Sequence, residues 1–264
     1  MISLYQAGMS SCSQKVRFVL EQKGLEWECI DVDLHNDENY SAEFKKLNPK
    51  AIIPVLIDDG DKILESNNIC LYLDEKYPDT PLMPATVKGR SDVRFLLQLI
   101  DEQVHNDSSV CTYAMAFRDR ILNTHDTDEK LTEYLAAMPD AGRRHIKKQV
   151  IIHGTDSPEF EIAVIRLNAM VIMLEQRLNE STYLVGDELT IADIAYSPYM
   201  TRMAHLNMQN LWSNRPKISE WFARVQDSVG YQKGLVDYFS KQGISNLNAA
   251  GSKWAEKVQT ILSI

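Results

Sequence analysis

Long apolar runs are missing from this sequence. Its 264 residues are 44% hydrophobic and 25% charged, a composition typical of globular proteins with a well-packed core. No stretch approaches the roughly 20 apolar residues that a helix needs to span a bilayer. The first residues also lack the basic and then apolar pattern of a secretion signal. We therefore expect a cytoplasmic protein that does not bind membranes.

Positive charge is scarce and dispersed. The chain has 28 Lys and Arg residues against 37 Asp and Glu residues, a formal net charge of −9. The long-range field of such a protein opposes association with nucleic acid. The basic cluster at residues 143–148 is predicted to be the solvated face of a helix. An anionic ligand must therefore be bound by a local positive pocket.

Cysteine is rare as well. The four cysteines are Cys12, Cys29, Cys70 and Cys111. They form neither a CxxC pair nor a zinc-ligand spacing, so we expect reduced thiols rather than a disulfide framework. The last three are predicted to pack as small buried hydrophobic side chains. His105 and His153 have no partners at metal-ligand spacing, so no metal is predicted.

The first third of the chain alternates between strand and helix patterns. Strands are predicted at residues 1–7, 27–34, 52–58 and 62–66, and helices at 13–24, about 40–47 and 67–77. Pro54 lies inside a predicted strand, although proline has no N–H for a ladder. It must therefore lie at an edge or in an unusual linkage such as a cis peptide bond.

The pattern becomes entirely helical from about residue 91 onward. We therefore predict an α/β domain at residues 1–82, a linker at 83–90 and an all-helical domain at 91–264, which ends in an amphipathic tail helix. Thr190 and Asp193 are spaced as a capping box, a device that satisfies helix N–H groups and indicates a structural role.

The segment Ser10-Ser11-Cys12-Ser13 is the strongest candidate for chemistry. It joins the first strand to the first helix, so hydroxyl, thiol and backbone N–H groups meet at the positive end of a helix dipole. Such a place stabilises a thiolate. The alternative is that these serines only cap the helix.

A second cluster supports the chemical interpretation. The linkage Ile53-Pro54 and the acid–hydroxyl pair Glu65-Ser66, at a strand-to-helix turn, would bring a second helix N-terminus near the first. A helix N-terminus is suited to a carboxylate.

These segments resemble the thioredoxin-like domain of glutathione transferases. The stretch SSCSQKVRFVLEQKGLEWE is similar to the opening of the zeta class, and LNPKAIIPVLIDDG with ESNNICLYLDEKYP resembles the family's VP and ES signatures. The second half, with LVGDELTIADIAYSPYM and a longer insert, is most like bacterial transferases of the β-etherase type. The resemblance implies a thioredoxin-like domain, a helical bundle and a homodimer.

The resemblance also implies roles at the start of the first helix. Ser10 would donate to the sulfur of glutathione, or Cys12 would be the thiol that relatives use to form mixed disulfides. Ser11 would assist either residue.

The resemblance further implies a set of contacts with the rest of glutathione. The backbone of Ile53 would pair with its cysteinyl part through the turn at Pro54, and Glu65 with Ser66 would hold the γ-glutamyl end. Lys50 is the candidate partner of the glycyl carboxylate. Ile52 replaces a glutamine that the family often has before the VP pair, and isoleucine has no polar group to offer to glutathione.

The second substrate should contact the helical domain. Tyr113 and Phe117 lie four residues apart and would line an apolar acceptor pocket, although aromatic side chains at helical spacing also pack in cores. We therefore expect an enzyme that activates glutathione for attack on a small apolar electrophile, by conjugation, ether cleavage, dehalogenation or isomerisation. The alternatives are a thiol-disulfide oxidoreductase that uses Cys12 and a non-enzymatic binding protein on the same fold.

Overall fold

The computed structural model describes residues 1–263, which form an α/β domain followed by a helical domain. The α/β domain has one four-stranded sheet in the order β2-β1-β3-β4. Its strands are β1 (Ile2–Gln6), β2 (Trp27–Asp31), β3 (Val55–Asp58) and β4 (Asp61–Leu64). Its helices are α1 (Ser11–Gln22), α2 (Ala42–Leu47) and α3 (Ser66–Lys76). Strand β1 runs parallel to β2 and antiparallel to β3, which confirms the predicted thioredoxin-like arrangement.

Local sequence signals bound α1 at both ends. Ser10 is its N-cap and accepts a hydrogen bond from the Ser13 N–H at 3.3 Å. Gly24 follows the helix with a φ of +65°, the left-handed conformation that favours glycine. Residues 13–20 of α1 are buried, because the sheet lies on one side of them and the helical domain on the other.

The Ile53–Pro54 peptide bond is cis, one of the placements that the sequence allowed. Strand β3 begins only at Val55, so the predicted strand at 52–58 is too long at its start. The proline stands outside the ladder because its nitrogen carries no hydrogen.

One cysteine prediction is wrong. Cys70 and Cys111 are buried as expected, but Cys29 is exposed. The reason is topological, since β2 is an edge strand of the sheet and its side chains have a neighbouring strand on one side only.

The helical domain begins with a continuous helix from residue 87 to residue 124. It consists of α4 (Val87–Leu99), α5 (His105–Thr112) and α6 (Arg118–Thr124), joined by π-helical turns at Ile100–Val104 and Tyr113–Phe117. Its first residue lies within the predicted linker. A π turn adds a residue to the helical repeat, so it changes which side chains share a face.

Further helices complete this domain. They are α7 (Asp128–Ala136), α8 (Ala141–His153), α9 (Pro158–Leu178), α10 (Ile191–His205), α11 (Pro216–Gln226), α12 (Val229–Gly234) and α13 (Lys241–Leu262). Helix α10 is the buried centre of the domain and begins with the predicted capping box of Thr190 and Asp193. Helix α13 is the predicted tail helix and packs against α9, α10 and the second π turn. No helix within residues 1–263 is sufficiently long and apolar to cross a membrane.

Candidate active site

The start of α1 places three predicted residues at the boundary between the two domains. Ser10, Ser11 and Cys12 are all partly buried. The oxygen of Ser10 accepts the capping bond from Ser13, so the capping alternative applies to this residue. A hydroxyl that accepts one bond keeps its own hydrogen, and that hydrogen remains available to an anion bound at the helix start.

Cys12 has partners that the sequence did not indicate. Its Sγ atom lies 3.5 Å from Nδ1 of His105, the first residue of α5. The hydroxyl of Tyr199, on α10, lies 3.2 Å from the same nitrogen. Because His105 follows Cys12 by 93 residues, no local motif links them. Both new residues belong to the helical domain, so the site is built from both domains.

These surroundings make Cys12 acidic. Burial by itself raises the pKa of its thiol, but the charges of His105 and Lys15 and hydrogen bonds with His105 and Ser66 outweigh burial and lower the pKa to about 6. A thiol with this pKa is largely a thiolate at neutral pH. The two buried cysteines show the opposite effect, since burial raises the pKa of Cys70 to about 12 and also raises that of Cys111.

Lys15 lies one turn into α1 and is almost completely buried. Its Nζ atom donates to Oδ1 of Asn67 at 2.9 Å. The Asn67 amide in turn donates to the Leu97 carbonyl at 3.1 Å and to Asp101 at 2.8 Å. Asn67 therefore links α1 to the helical domain and holds a positive charge beneath Cys12.

The segment predicted to bind the γ-glutamyl end lies at the start of α3. Glu65 precedes the helix with a φ of +68°, and Ser66 is its buried first residue. The Ser66 hydroxyl is close enough to Cys12 to lower the pKa of its thiol, so the starts of α3 and α1 lie near each other, as the sequence predicts. The Nζ atom of Lys50 lies 2.7 Å from Oε1 of Glu65, and both side chains are largely exposed.

Tyr113 and Phe117 form an edge-to-face pair in the second π turn, with ring centroids 5.4 Å apart. Lys147, on α8, donates to the Tyr113 hydroxyl at 3.0 Å and lies over the ring at 4.1 Å. Burial raises the pKa of Tyr113, but the nearby ammonium group outweighs burial and lowers it. Both rings also contact the small apolar cluster of Ile121 and Ile151. Part of the surface of Tyr113 and Phe117 therefore packs against the protein core.

Two protein-family models match the sequence. The N-terminal domain of glutathione S-transferases matches residues 9–76, and the C-terminal domain matches residues 129–228. Together they cover more than half of the chain. The chain belongs to the glutathione transferase family. As in the rest of the family, glutathione is the cosubstrate of this transferase.

Individual relatives confirm the two resemblances seen in the sequence. The transferase is 29% identical to protein LigF of Sphingobium over 195 residues, which are 73% of this chain and 75% of LigF. A glutathione S-transferase of Triticum aestivum is 30% identical over 200 residues, 74% of this chain and 75% of the relative. A zeta-class enzyme of Euphorbia esula is 43% identical over 90 residues, 34% of this chain and 40% of that enzyme.

A solved structure confirms the fold. The β-etherase LigF from Sphingobium superposes with a TM-score of 0.79 at 24% identity, covering 88% of this chain and 98% of LigF. The transferase therefore has the family's arrangement of a thioredoxin-like domain and a helical domain.

Proposed function

We propose that this transferase binds glutathione with its sulfur at the start of α1 and delivers the thiolate to an electrophilic carbon that carries an ether oxygen. The observation that carries the proposal is the meeting of side chains from both domains at this helix start: Cys12 from α1, His105 from α5 and Tyr199 from α10. The likeness to LigF, which bears the name β-etherase, supports an ether as the acceptor. Detoxification or degradation of aromatic compounds would use this reaction.

The proposed reaction is a displacement. Ser66 and Glu65 hold the γ-glutamyl end, and Lys50 is the candidate for the glycyl carboxylate. The backbone of Ile53 before the cis linkage to Pro54 orients the cysteinyl part. The sulfur forms a bond to carbon while the carbon–oxygen bond breaks, and the leaving oxygen keeps the bonding pair and takes up a proton. The product is a thioether of glutathione.

Within this mechanism Ser10 is the proposed donor to the glutathione thiolate, with Ser11 beside it. The helix dipole and one hydroxyl hydrogen bond stabilise an anion that exists only after the thiol has lost its proton. The apolar part of the electrophile would contact Tyr113 and Phe117.

The acidity of Cys12 favours a second candidate function. Its thiolate would attack the glutathionyl sulfur of a mixed disulfide between glutathione and another thiol, and that thiol would leave. A second glutathione would then attack the Cys12–glutathione disulfide, so that the cysteine is regenerated and glutathione disulfide is released. Two thiolates at one helix start repel each other. An ionised Cys12 therefore competes with the bound glutathione thiolate, and the two candidates differ in which sulfur carries the charge.

Substitution of Ser10 and Cys12 separates the candidates. If Ser10 stabilises bound glutathione, Ser10→Ala raises the pKa of that thiol by about one unit and lowers turnover roughly 10-fold to 1000-fold, whereas Cys12→Ser changes little. The measurement is the glutathione-induced change in thiolate absorbance against pH, together with turnover of aryl ethers and halogenated hydroquinones.

A Cys29→Ser variant is the control for loss of a thiol, because Cys29 is exposed on the edge strand. If the absorbance change is unmoved by Ser10→Ala and is abolished by Cys12→Ser, Cys12 is the reactive sulfur. Intact-mass analysis should then show a reducible glutathione adduct on the wild type. Binding of glutathione without turnover of any electrophile would favour a non-enzymatic protein.

A further inference from the structure

A buried arginine lies beside the proposed glutathione sulfur. Arg202 belongs to the last turn of α10, and only 7% of its surface is exposed. Its Nη2 atom donates to the Met9 carbonyl at 2.5 Å. Met9 directly precedes Ser10, the N-cap of α1. The guanidinium group is therefore held at the same helix start as Ser10.

The charge of Arg202 is not balanced by a carboxylate of the described residues. Within residues 1–263 the only charged group that affects its pKa is Tyr113, and Nη2 is the only one of its nitrogens with a hydrogen-bond partner. Its Nε and Nη1 atoms are not sealed from solvent. A buried charge without a partner is costly, which indicates that an anion completes the site.

Other buried cations of this chain show what a structural role looks like. Arg17 donates to the carbonyl oxygens of Gly234 and Gly8 at 2.7 and 2.8 Å and also to Gln6, so each of its nitrogens has a partner. Lys23 lies 2.7 Å from a carboxylate oxygen of Asp74. Arg202 has neither kind of compensation.

A second cation without a carboxylate partner among the described residues lies beside Tyr113. The only hydrogen bond of Lys147 within the described residues is to the Tyr113 hydroxyl, and no carboxylate there pairs with it. Tyr113 also lies near Arg202, because its ionised form would raise the pKa of the guanidinium group, which burial lowers to about 10. In a protein of net charge −9, this part of the domain boundary is locally positive.

We propose that Arg202 binds an anionic oxygen group, a carboxylate or a phenolate, on the acceptor substrate. The acceptor is then not wholly apolar, since its body contacts Phe117 and its anionic end lies between Arg202 and the Lys147–Tyr113 pair. The planar guanidinium group matches two oxygens of a carboxylate. The inference rests on the proposed function, because it takes the acceptor to lie beside the glutathione sulfur.

Glutathione conjugates test the inference without a need for turnover. The probes are S-(4-carboxybenzyl)glutathione and its neutral carboxamide analogue. S-(4-hydroxy-3-nitrobenzyl)glutathione and its methyl ether distinguish a phenolate from a carboxylate. Calorimetry with the wild type should show that the carboxylate or the phenolate conjugate binds about 10-fold more tightly than its neutral partner. Equal affinities within both pairs would overturn the proposal.

An Arg202→Met variant should reduce that 10-fold preference to within about 2-fold while binding of the neutral conjugates stays unchanged. Arg224→Met is the matched control. Arg224 belongs to α11, which does not border the start of α1, and its side chain donates to the Thr182 carbonyl at 2.6 Å. If Arg202→Met fails to fold, Arg202→Lys takes its place. Lysine keeps the positive charge but not the planar guanidinium group, so this variant should retain part of the preference for the charged conjugates.

The possible failures are distinguishable. If Arg202→Met weakens charged and neutral conjugates equally, Arg202 only positions the segment around Met9 and the proposed subsite is wrong. If glutathione and all four conjugates fail to bind the wild type, the proposed function itself is wrong.

Discussion

Cys12 and His105 show how a site residue acquires its chemistry from neighbours. A thiol at this depth would by itself be less acidic than in water, since burial disfavours the charged form. The imidazole of His105 at 3.5 Å, the Lys15 ammonium and the Ser66 hydroxyl reverse that effect. The reactivity of Cys12 therefore depends on three neighbouring side chains, those of His105, Lys15 and Ser66.

We predict that His105→Gln slows alkylation of Cys12 by iodoacetamide about 10-fold at pH 7. Loss of the imidazole raises the folded pKa from about 6 toward the ordinary value, so a much smaller fraction of the thiol is ionised at that pH. The rate is read by mass spectrometry of the Cys12 peptide between pH 5 and pH 9.

The rate profile should shift to higher pH, and the variant should approach the wild-type rate only above its new pKa. His153→Gln is the control, since His153 is exposed at the end of α8. A profile that is the same in wild type and His105→Gln would show that the imidazole does not acidify Cys12.

At the scale of elements, α12 fixes the position of α1. A Cβ atom added to Gly230 would lie 2.3 Å from the ring of Phe18, and one added to Gly234 would lie 2.7 Å from the Phe18 backbone nitrogen. The two glycines, one turn apart, therefore allow the two helices to touch along their backbones. Arg17 stabilises this contact, because its Nε atom donates a hydrogen bond to the Gly234 carbonyl.

We predict that Gly234→Ala lowers the free energy of unfolding by about 2 to 3 kcal/mol, because the obstructing atoms are backbone atoms that cannot move independently. Urea denaturation measures the change. Gly142→Ala, in the exposed first turn of α8, is the control and should be neutral or stabilising by up to about 1 kcal/mol, since its nearest neighbour lies 3.5 Å away. Equal stabilities of the two variants would contradict the close-contact explanation.

At the scale of the whole molecule, the two domains share buried polar contacts. Asn67 of α3 bonds to Lys15 in its own domain and to Leu97 and Asp101 in the other. Tyr199 and Lys15 also face each other, with Nζ 5.4 Å from the ring centroid. We therefore expect the domains to unfold together. A homodimer stays a prediction that sedimentation would test.

We predict that Asn67→Leu destabilises the protein by about 3 kcal/mol, because it leaves the buried Lys15 ammonium without its acceptor. Adding Lys15→Met should recover part of the loss, since the double variant buries no unpaired charge. Calorimetry of the two single variants and the double variant gives the coupling energy. Strictly additive effects would show that the two residues are independent.

The sequence by itself determined the features that local chemistry controls. The capping box of Thr190 and Asp193 and the unusual linkage at Pro54 each depend on residues a few positions apart. The order of an α/β domain and a helical domain follows from hydrophobic periodicity. These predictions are confirmed because caps, turns and periodicity act within one or two turns of chain.

Only the tertiary structure decided which distant residues join the site. His105 and Arg202 reach the start of α1 through the packing of α5 and α10, and the π turn before His105 sets which face of that helix it occupies. No spacing in the sequence encodes such contacts. The acidity of Cys12 and the uncompensated charge of Arg202 therefore arise from packing, because electrostatic effects depend on distance in space and on burial.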